Sequence, residues 1–142
     1  MIETFLTSSE LETTDAGRRL TGRLEAGSVV LLYGDLGAGK TAFVRGLAEG
    51  LALSGDQVNS PTFTILQEYR GGRLPLFHAD LYRLNDAREV EDLGLDEISA
   101  GGVLAIEWAD KLEAVPPGAL RVTIDHVGEH ERRITVESYS DR

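Results

Sequence analysis

At 142 residues, with 42% hydrophobic and 27% charged residues, the chain is long enough to bury a core unaided and too apolar to be disordered. Its 24 acidic residues against 14 basic ones leave a formal net charge of −10, a surface that repels nucleic-acid phosphates, since binding them needs clustered Lys and Arg. The absence of cysteine removes disulfides, thiol catalysis and thiolate metal sites together.

No apolar run approaches the roughly 20 residues needed to cross a bilayer. Met1 to Glu10 has no basic residue before an apolar stretch and does not read as a signal peptide, so a cytoplasmic address is expected. No repeat, low-complexity tract or linker interrupts the chain, and residues 1–142 are expected to form one domain.

In chain order, Ile2, Phe5 and Leu6 predict a short first strand. Ser8 or Ser9 can cap a helix with Thr13, Ala16, Gly17, Leu20 and Leu24 inward, ending at Gly27. Residues 28–33 then form a continuous apolar run rich in β-branched residues, as expected of a strand buried on both faces of a parallel sheet. A Gly-rich turn follows, then a helix with Phe43, Val44, Leu47 and Leu51 on its inward face.

Residues 62–69 and 74–83 are strand-like and joined by Arg70-Gly71-Gly72-Arg73, a hairpin turn. Asp86 is placed to cap a short helix through Val90 and Leu93. Val103 to Ile106 is a second fully apolar strand, preceded by Gly101-Gly102. Residues 120–125 and 133–137 alternate around Gly128 and predict a terminal antiparallel pair. Parallel buried strands plus hairpins imply an α/β domain with a mixed central sheet, helices on both faces and antiparallel hairpins.

The segment Gly34-Asp35-Leu36-Gly37-Ala38-Gly39-Lys40-Thr41 fits G-x-x-x-x-G-K-[ST] at every required position. Glycines let the backbone turn tightly and approach phosphate oxygens with no Cβ in the way. Successive N–H groups and the positive end of the following helix then solvate the anion. Lys40, expected on an exposed loop, would neutralise charge on the β- and γ-phosphates, and the Thr41 hydroxyl would ligate Mg²⁺. The motif sits between a buried strand and an amphipathic helix, where the mechanism needs it. This is a P-loop, and the domain is expected to be P-loop NTPase-like.

Such a site also needs a carboxylate near the metal, usually where a buried strand ends. Glu107 follows Val103 to Ile106, where a buried charge is costly unless it faces a cation. Asp80 competes. Along residues 76–82, alternation puts Phe77, Ala79 and Leu81 on one face and His78, Asp80 and Tyr82 on the other, which a plain solvent-facing strand explains equally well. Pattern alone leaves the roles of the two acids open.

Ser60-Pro61-Thr62 reads as a turn before a strand or as a mobile loop whose hydroxyl senses a γ-phosphate. Trp108, the sole tryptophan, lies beside Glu107, where core packing is sufficient to explain it. His126 and His130 fall in the terminal hairpin and suggest no metal.

Together, the P-loop, Ser60-Pro61-Thr62-Phe63, His78-Ala79-Asp80-Leu81-Tyr82-Arg83-Leu84 and Glu107-Trp108 resemble the bacterial TsaE (YjeE) family, in family order and with family-like spacing. These are small ATPases required for tRNA threonylcarbamoyladenosine biosynthesis. The resemblance covers nearly the whole chain; Ala79 stands where a bulkier apolar residue is more usual, on the apolar face.

The resemblance implies roles residue by residue. Lys40 and Thr41 keep their phosphate and Mg²⁺ duties. Glu107 looks like the Walker-B-type acid associated with the metal, and Trp108 like its aromatic neighbour near the nucleotide. Asp80 looks like a second acid near the γ-phosphate, and Thr62 like a switch-loop residue. ATP/ADP and Mg²⁺ are the implied cofactors. The implied partner is a TsaB–TsaD-type pair that transfers the threonylcarbamoyl group to adenosine 37 of tRNA, so that tRNA is met only indirectly and no membrane is involved.

Two other readings use the same cradle. A small-molecule kinase would hand the γ-phosphoryl group to an acceptor under a basic lid, but the stretch from Asp86 to Gly102 holds Arg88 among six acids. A nucleotide-switched binding module with incidental turnover is physically close to the ATPase. A GTPase fits poorly, because neither Asn59 nor Asn85 is followed by Lys.

Overall fold

The computed structural model describes residues 2–34, 39–54, 58, 66–82, 84, 87–112, 115–116 and 118–138. Asp35, Leu36, Gly37, Ala38, Thr62 with the rest of Ser60-Pro61-Thr62-Phe63, Arg83 and the expected cap Asp86 lie outside them. Among the described residues seven strands form one mixed sheet in the order β1-β7-β6-β2-β5-β4-β3. Strand β2 (Val29–Tyr33) lies inside it, parallel to both β5 (Val103–Glu107) and β6 (Leu120–His126). Strand β4 (Leu76–Asp80) extends the parallel set beside β5, and β3 (Leu66–Tyr69) closes that edge antiparallel to β4. On the other side β7 (Arg132–Ser138) pairs antiparallel with β6, and β1 (Ile2–Thr7) with β7.

The continuous apolar runs of β2 and β5 follow from cover on both faces. Val30, Leu32, Val103 and Ala105 meet one core cluster with Phe43, Val44 and Leu47, while Leu31, Leu104 and Ile106 meet a second with Phe77, Leu81 and Leu95. Helices α1 (Glu10–Leu20) and α2 (Lys40–Gly50) bring Ala16, Leu20, Phe43 and Leu47 to the first cluster; the short helix α4 (Leu95–Ile98) brings Leu95 to the second. A further helix, α3 (Ala87–Asp92), precedes it.

Ser9 caps α1: its hydroxyl accepts from the Glu12 N–H at 3.1 Å, while the Glu12 carboxylate accepts from the Ser8 N–H at 2.9 Å. The helix ends at Leu20, short of the expected Gly27, in a 3₁₀ turn over Thr21–Arg23. The Thr21 hydroxyl donates to the Arg18 carbonyl at 2.6 Å and Leu24 is already extended, so Leu24 reaches the core from a loop. Strand β4 also stops earlier than expected, at Asp80, whose Oδ1 accepts from the Tyr82 N–H at 2.9 Å and turns the chain.

Three arginines near the N-terminal helix are paired with acids. Arg18 bridges Asp15 and Glu49, Arg19 reaches Asp15, and Arg23 reaches Glu3. No helix among the described residues is long and apolar enough to cross a membrane.

Candidate functional site

The register of the parallel strands brings three chain ends together. Leu32 on β2 and Asp80 on β4 are both aligned with Glu107 on β5, so β2, β5 and β4 finish side by side. In open α/β sheets ligands sit beyond the carboxyl ends of the strands, and the phosphate-cradle motif leaves β2 there. Gly34 has φ +140°, and a Cβ on it would stand 2.4 Å from the Ile124 carbonyl oxygen, so no other residue fits that exit. Gly39 has φ +106° and opens α2, which no side chain caps among the described residues. The N–H groups of the first turn therefore face the site as anion donors.

Lys40 is the first residue of α2 and is 5% exposed. The expectation of an exposed loop position is corrected: its Nζ donates to the Gly34 carbonyl at 2.9 Å and lies 4.6 Å from the centre of the Trp108 ring. Both contacts hold the ammonium at the start of the helix. Thr41 follows on α2, half-buried.

Glu107 and His78 are buried together, at 3% and 0% exposure, with the His78 Nε2–H donating to Glu107 Oε2 at 2.5 Å. The face carrying His78 and Asp80 is therefore not a solvent-facing strand surface. Leu76, on the same face, packs in the cluster of α1 and α2. Asp80 is half-buried beside them. Burial raises its pKa above the ordinary aspartate value, and the nearby Glu107 adds to that; the Tyr82 N–H, His78 and Lys40 oppose it.

Trp108 occupies the left-handed region at φ 58°, a costly conformation for a bulky residue, and the strand breaks there into a 3₁₀ turn, Ala109–Lys111. The half-buried indole packs against the second core cluster and also against the exposed Tyr82 ring, with centroids 4.7 Å apart. It is thus both core and site.

A donor-rich helix start, a lysine, and two carboxylates across adjacent strand ends fit a nucleotide phosphate chain with Mg²⁺. Among the described residues no three His, Asp or Glu side chains converge as a metal site of their own.

Comparison with known proteins narrows the reading. The family model described as threonylcarbamoyl adenosine biosynthesis protein TsaE matches residues 7–134. This chain belongs to the TsaE family. It is 48% identical to the tRNA threonylcarbamoyladenosine biosynthesis protein TsaE of Bacillus subtilis (strain 168), over 92% of this chain and 83% of that one. The protein of the same description from Nostoc sp. is 40% identical over 99% and 88%. The crystal structure of YdiB from Bacillus subtilis superposes with a TM-score of 0.78 at 36% identity, covering 100% of this chain and 88% of the other.

For this TsaE-family chain, the described positions among the expected site residues (Gly34, Gly39, Lys40, Thr41, Asp80, Glu107 and Trp108) all fall at one end of the sheet. Sequence reasoning missed the His78–Glu107 pair and the Tyr82–Trp108 contact. The alternation along β4 already placed His78 on the face of Asp80; what it did not reveal was that this face is covered, with Leu76 in the core cluster and His78 fully buried.

The raised Asp80 pKa has a measurable consequence. An acid whose pKa is higher folded than unfolded lowers stability once ionised. The cost is absent below the ordinary carboxylate pKa and complete above the raised one. Asp80→Asn keeps an oxygen for the Tyr82 N–H and removes the buried charge. Its Tm is expected to exceed that of the parent at pH 7, with the gap closing as pH falls through the carboxylate range. A gap independent of pH in thermal melts would show that burial does not disfavour the Asp80 charge.

Proposed function

We propose that this chain is a Mg²⁺-dependent ATP-binding and hydrolysing subunit for threonylcarbamoylation of adenosine 37 in tRNA, acting with a TsaB–TsaD-type pair. The observation that carries the proposal is the convergence of Lys40, Asp80, Glu107 and Trp108 at the start of α2 and the ends of β4 and β5 in a TsaE-family chain. The first turn of α2 binds the phosphates through its N–H groups, and Lys40 moves from the Gly34 carbonyl to the β- and γ-phosphate oxygens. Thr41 and Glu107 are the residues to hold Mg²⁺, which when bound supplies positive charge to the phosphate oxygens. Asp80, at the neighbouring strand end, orients the attacking water near the γ-phosphate. Trp108 offers an aromatic face beside the nucleotide, and Thr62 would respond to the γ-phosphate.

The net charge of −10 and the pairing of Arg18, Arg19 and Arg23 with acids support contact with tRNA through the partner pair rather than directly. The deciding experiment is steady-state ATP hydrolysis with Mg²⁺, alone and with the cognate pair, with and without tRNA. Slow turnover that rises severalfold with the pair is expected. Turnover indifferent to the pair would withdraw the partnership while leaving the nucleotide site standing, and no turnover in any mixture would withdraw the ATPase.

A further inference from the structure

His78 is the buried polar group that the proposed reaction does not use. It sits mid-strand on β4, aligned with Ala105 on β5 and with Gln67 on β3, and its ring is fully buried. One ring nitrogen binds Glu107 at 2.5 Å; the other, Nδ1, is buried and has no hydrogen-bond partner among the described residues. A histidine kept in the sheet interior only for packing would be a poor choice, because an apolar side chain of similar size would carry no nitrogen to desolvate.

The geometry around Glu107 gives the imidazole its purpose. Glu107 is at the last position of β5, its backbone fixed on both sides: its carbonyl accepts from the Leu81 N–H at 3.1 Å, and its neighbours in register are Leu32 and Asp80. The side chain still has several rotatable bonds with which to swing. The bond from His78 occupies Oε2 and ties that oxygen toward the sheet. The swing of the carboxylate is thereby restrained, and Oε1 is left for a ligand. The partnership also lowers the cost of keeping a carboxylate at 3% exposure next to a second acid.

We infer that His78 is a positioning residue for Glu107: its Nε2–H anchors Oε2 so that Oε1 is presented to the nucleotide-bound cation. The inference rests on the proposed Mg²⁺–nucleotide site. Partners of this kind set the geometry and basicity of a metal ligand, and their loss weakens metal affinity about 10–100-fold.

The test compares His78→Gln, whose amide N–H reaches the region of Nε2, with His78→Met, which keeps bulk and loses the donor. Fluorescence of Trp108, the sole tryptophan, reports ADP binding without turnover as Mg²⁺ is titrated. His78→Met is expected to bind ADP without Mg²⁺ as the parent does, and to need about tenfold more Mg²⁺ for the same gain in affinity. His78→Gln is expected to recover most of that loss. Equal Mg²⁺ dependence in all three proteins, or a Gln variant no better than Met while both remain folded, would overturn the inference.

Should the Met variant fail to fold, the parent protein still decides. The ¹⁵N-labelled His78 Nε2–H resonance is expected to shift when Mg²⁺ joins bound ADP, and indifference to the ion overturns the inference. A parent whose ADP affinity does not depend on Mg²⁺ would overturn the site reading itself and this inference with it.

Discussion

Lys40→Met should lower kcat/KM for ATP hydrolysis on the order of 10²–10³-fold, the usual effect of removing one preorganised electrostatic donor from a reacting group. Met is the better probe than alanine because Lys40 is buried, with its ammonium over the Trp108 ring; Met keeps most of the apolar stem and removes the charge with the contacts it makes. The stability cost is expected to be about 2–3 kcal/mol. The variant loses a hydrogen bond to Gly34 O, worth about 1 kcal/mol net, and a cation–π contact worth about 1–2 kcal/mol when partly desolvated. Lys40→Ala should lose the same activity and more stability, since it also opens space against the indole. A folded Lys40→Met protein with undiminished hydrolysis would remove the cradle from the site.

The difference between the expected and observed setting of Lys40 shows what a sequence pattern carries. The spacing of Gly34, Gly39, Lys40 and Thr41 encodes a chain path, because each glycine marks a backbone conformation or a close approach that other residues resist. The tight backbone turn expected of these glycines is met by the positive φ of Gly34 and Gly39. Hydrophobic runs were legible as buried strands, since β2 and β5 can be apolar throughout only if both faces are covered. What the pattern does not carry is the third dimension of polar residues. His78 and Asp80 alternate with apolar neighbours in the same way whether their face meets water or the core, and only the tertiary packing over that face decides it.

The pairing of β1 with β7 was illegible for a related reason. Two short alternating strands at opposite ends of the chain hold no record of each other, because an antiparallel register depends on contacts remote in sequence. Likewise Trp108 gave no sign of its left-handed backbone. In sequence it is an aromatic residue after a strand; the conformation is imposed by the need to turn the chain directly after Glu107 while its ring reaches both Lys40 and Tyr82.

The same limit applies to the glycines of α2, and it sets the sign of the second large effect. Gly46 lies mid-helix, where alanine ordinarily stabilises by about 1 kcal/mol. Here a Cβ would stand 1.9 Å from the Thr14 carbonyl oxygen and 2.9 Å from the Arg18 nitrogen. Both are backbone atoms of α1 and cannot swing aside as the end of a side chain can, so the two helices must separate. Gly46→Ala is therefore expected to destabilise by about 3 kcal/mol, at the upper end for overpacking, a fall in Tm of roughly 10 °C for a domain of this size. Gly22→Ala, where a Cβ meets nothing within 4 Å, is the control and should leave Tm nearly unchanged. The effect should extend to the site. Helix α2 begins at Lys40, and a Cβ at Gly39 would lie 3.5 Å from the Thr13 methyl of α1, so parting the helices moves the cradle as well. Nucleotide affinity of Gly46→Ala, measured well below its Tm, should fall together with stability. A variant as stable as the parent would mean that α1 and α2 do not approach this closely, and that the cradle is held in place by the sheet alone.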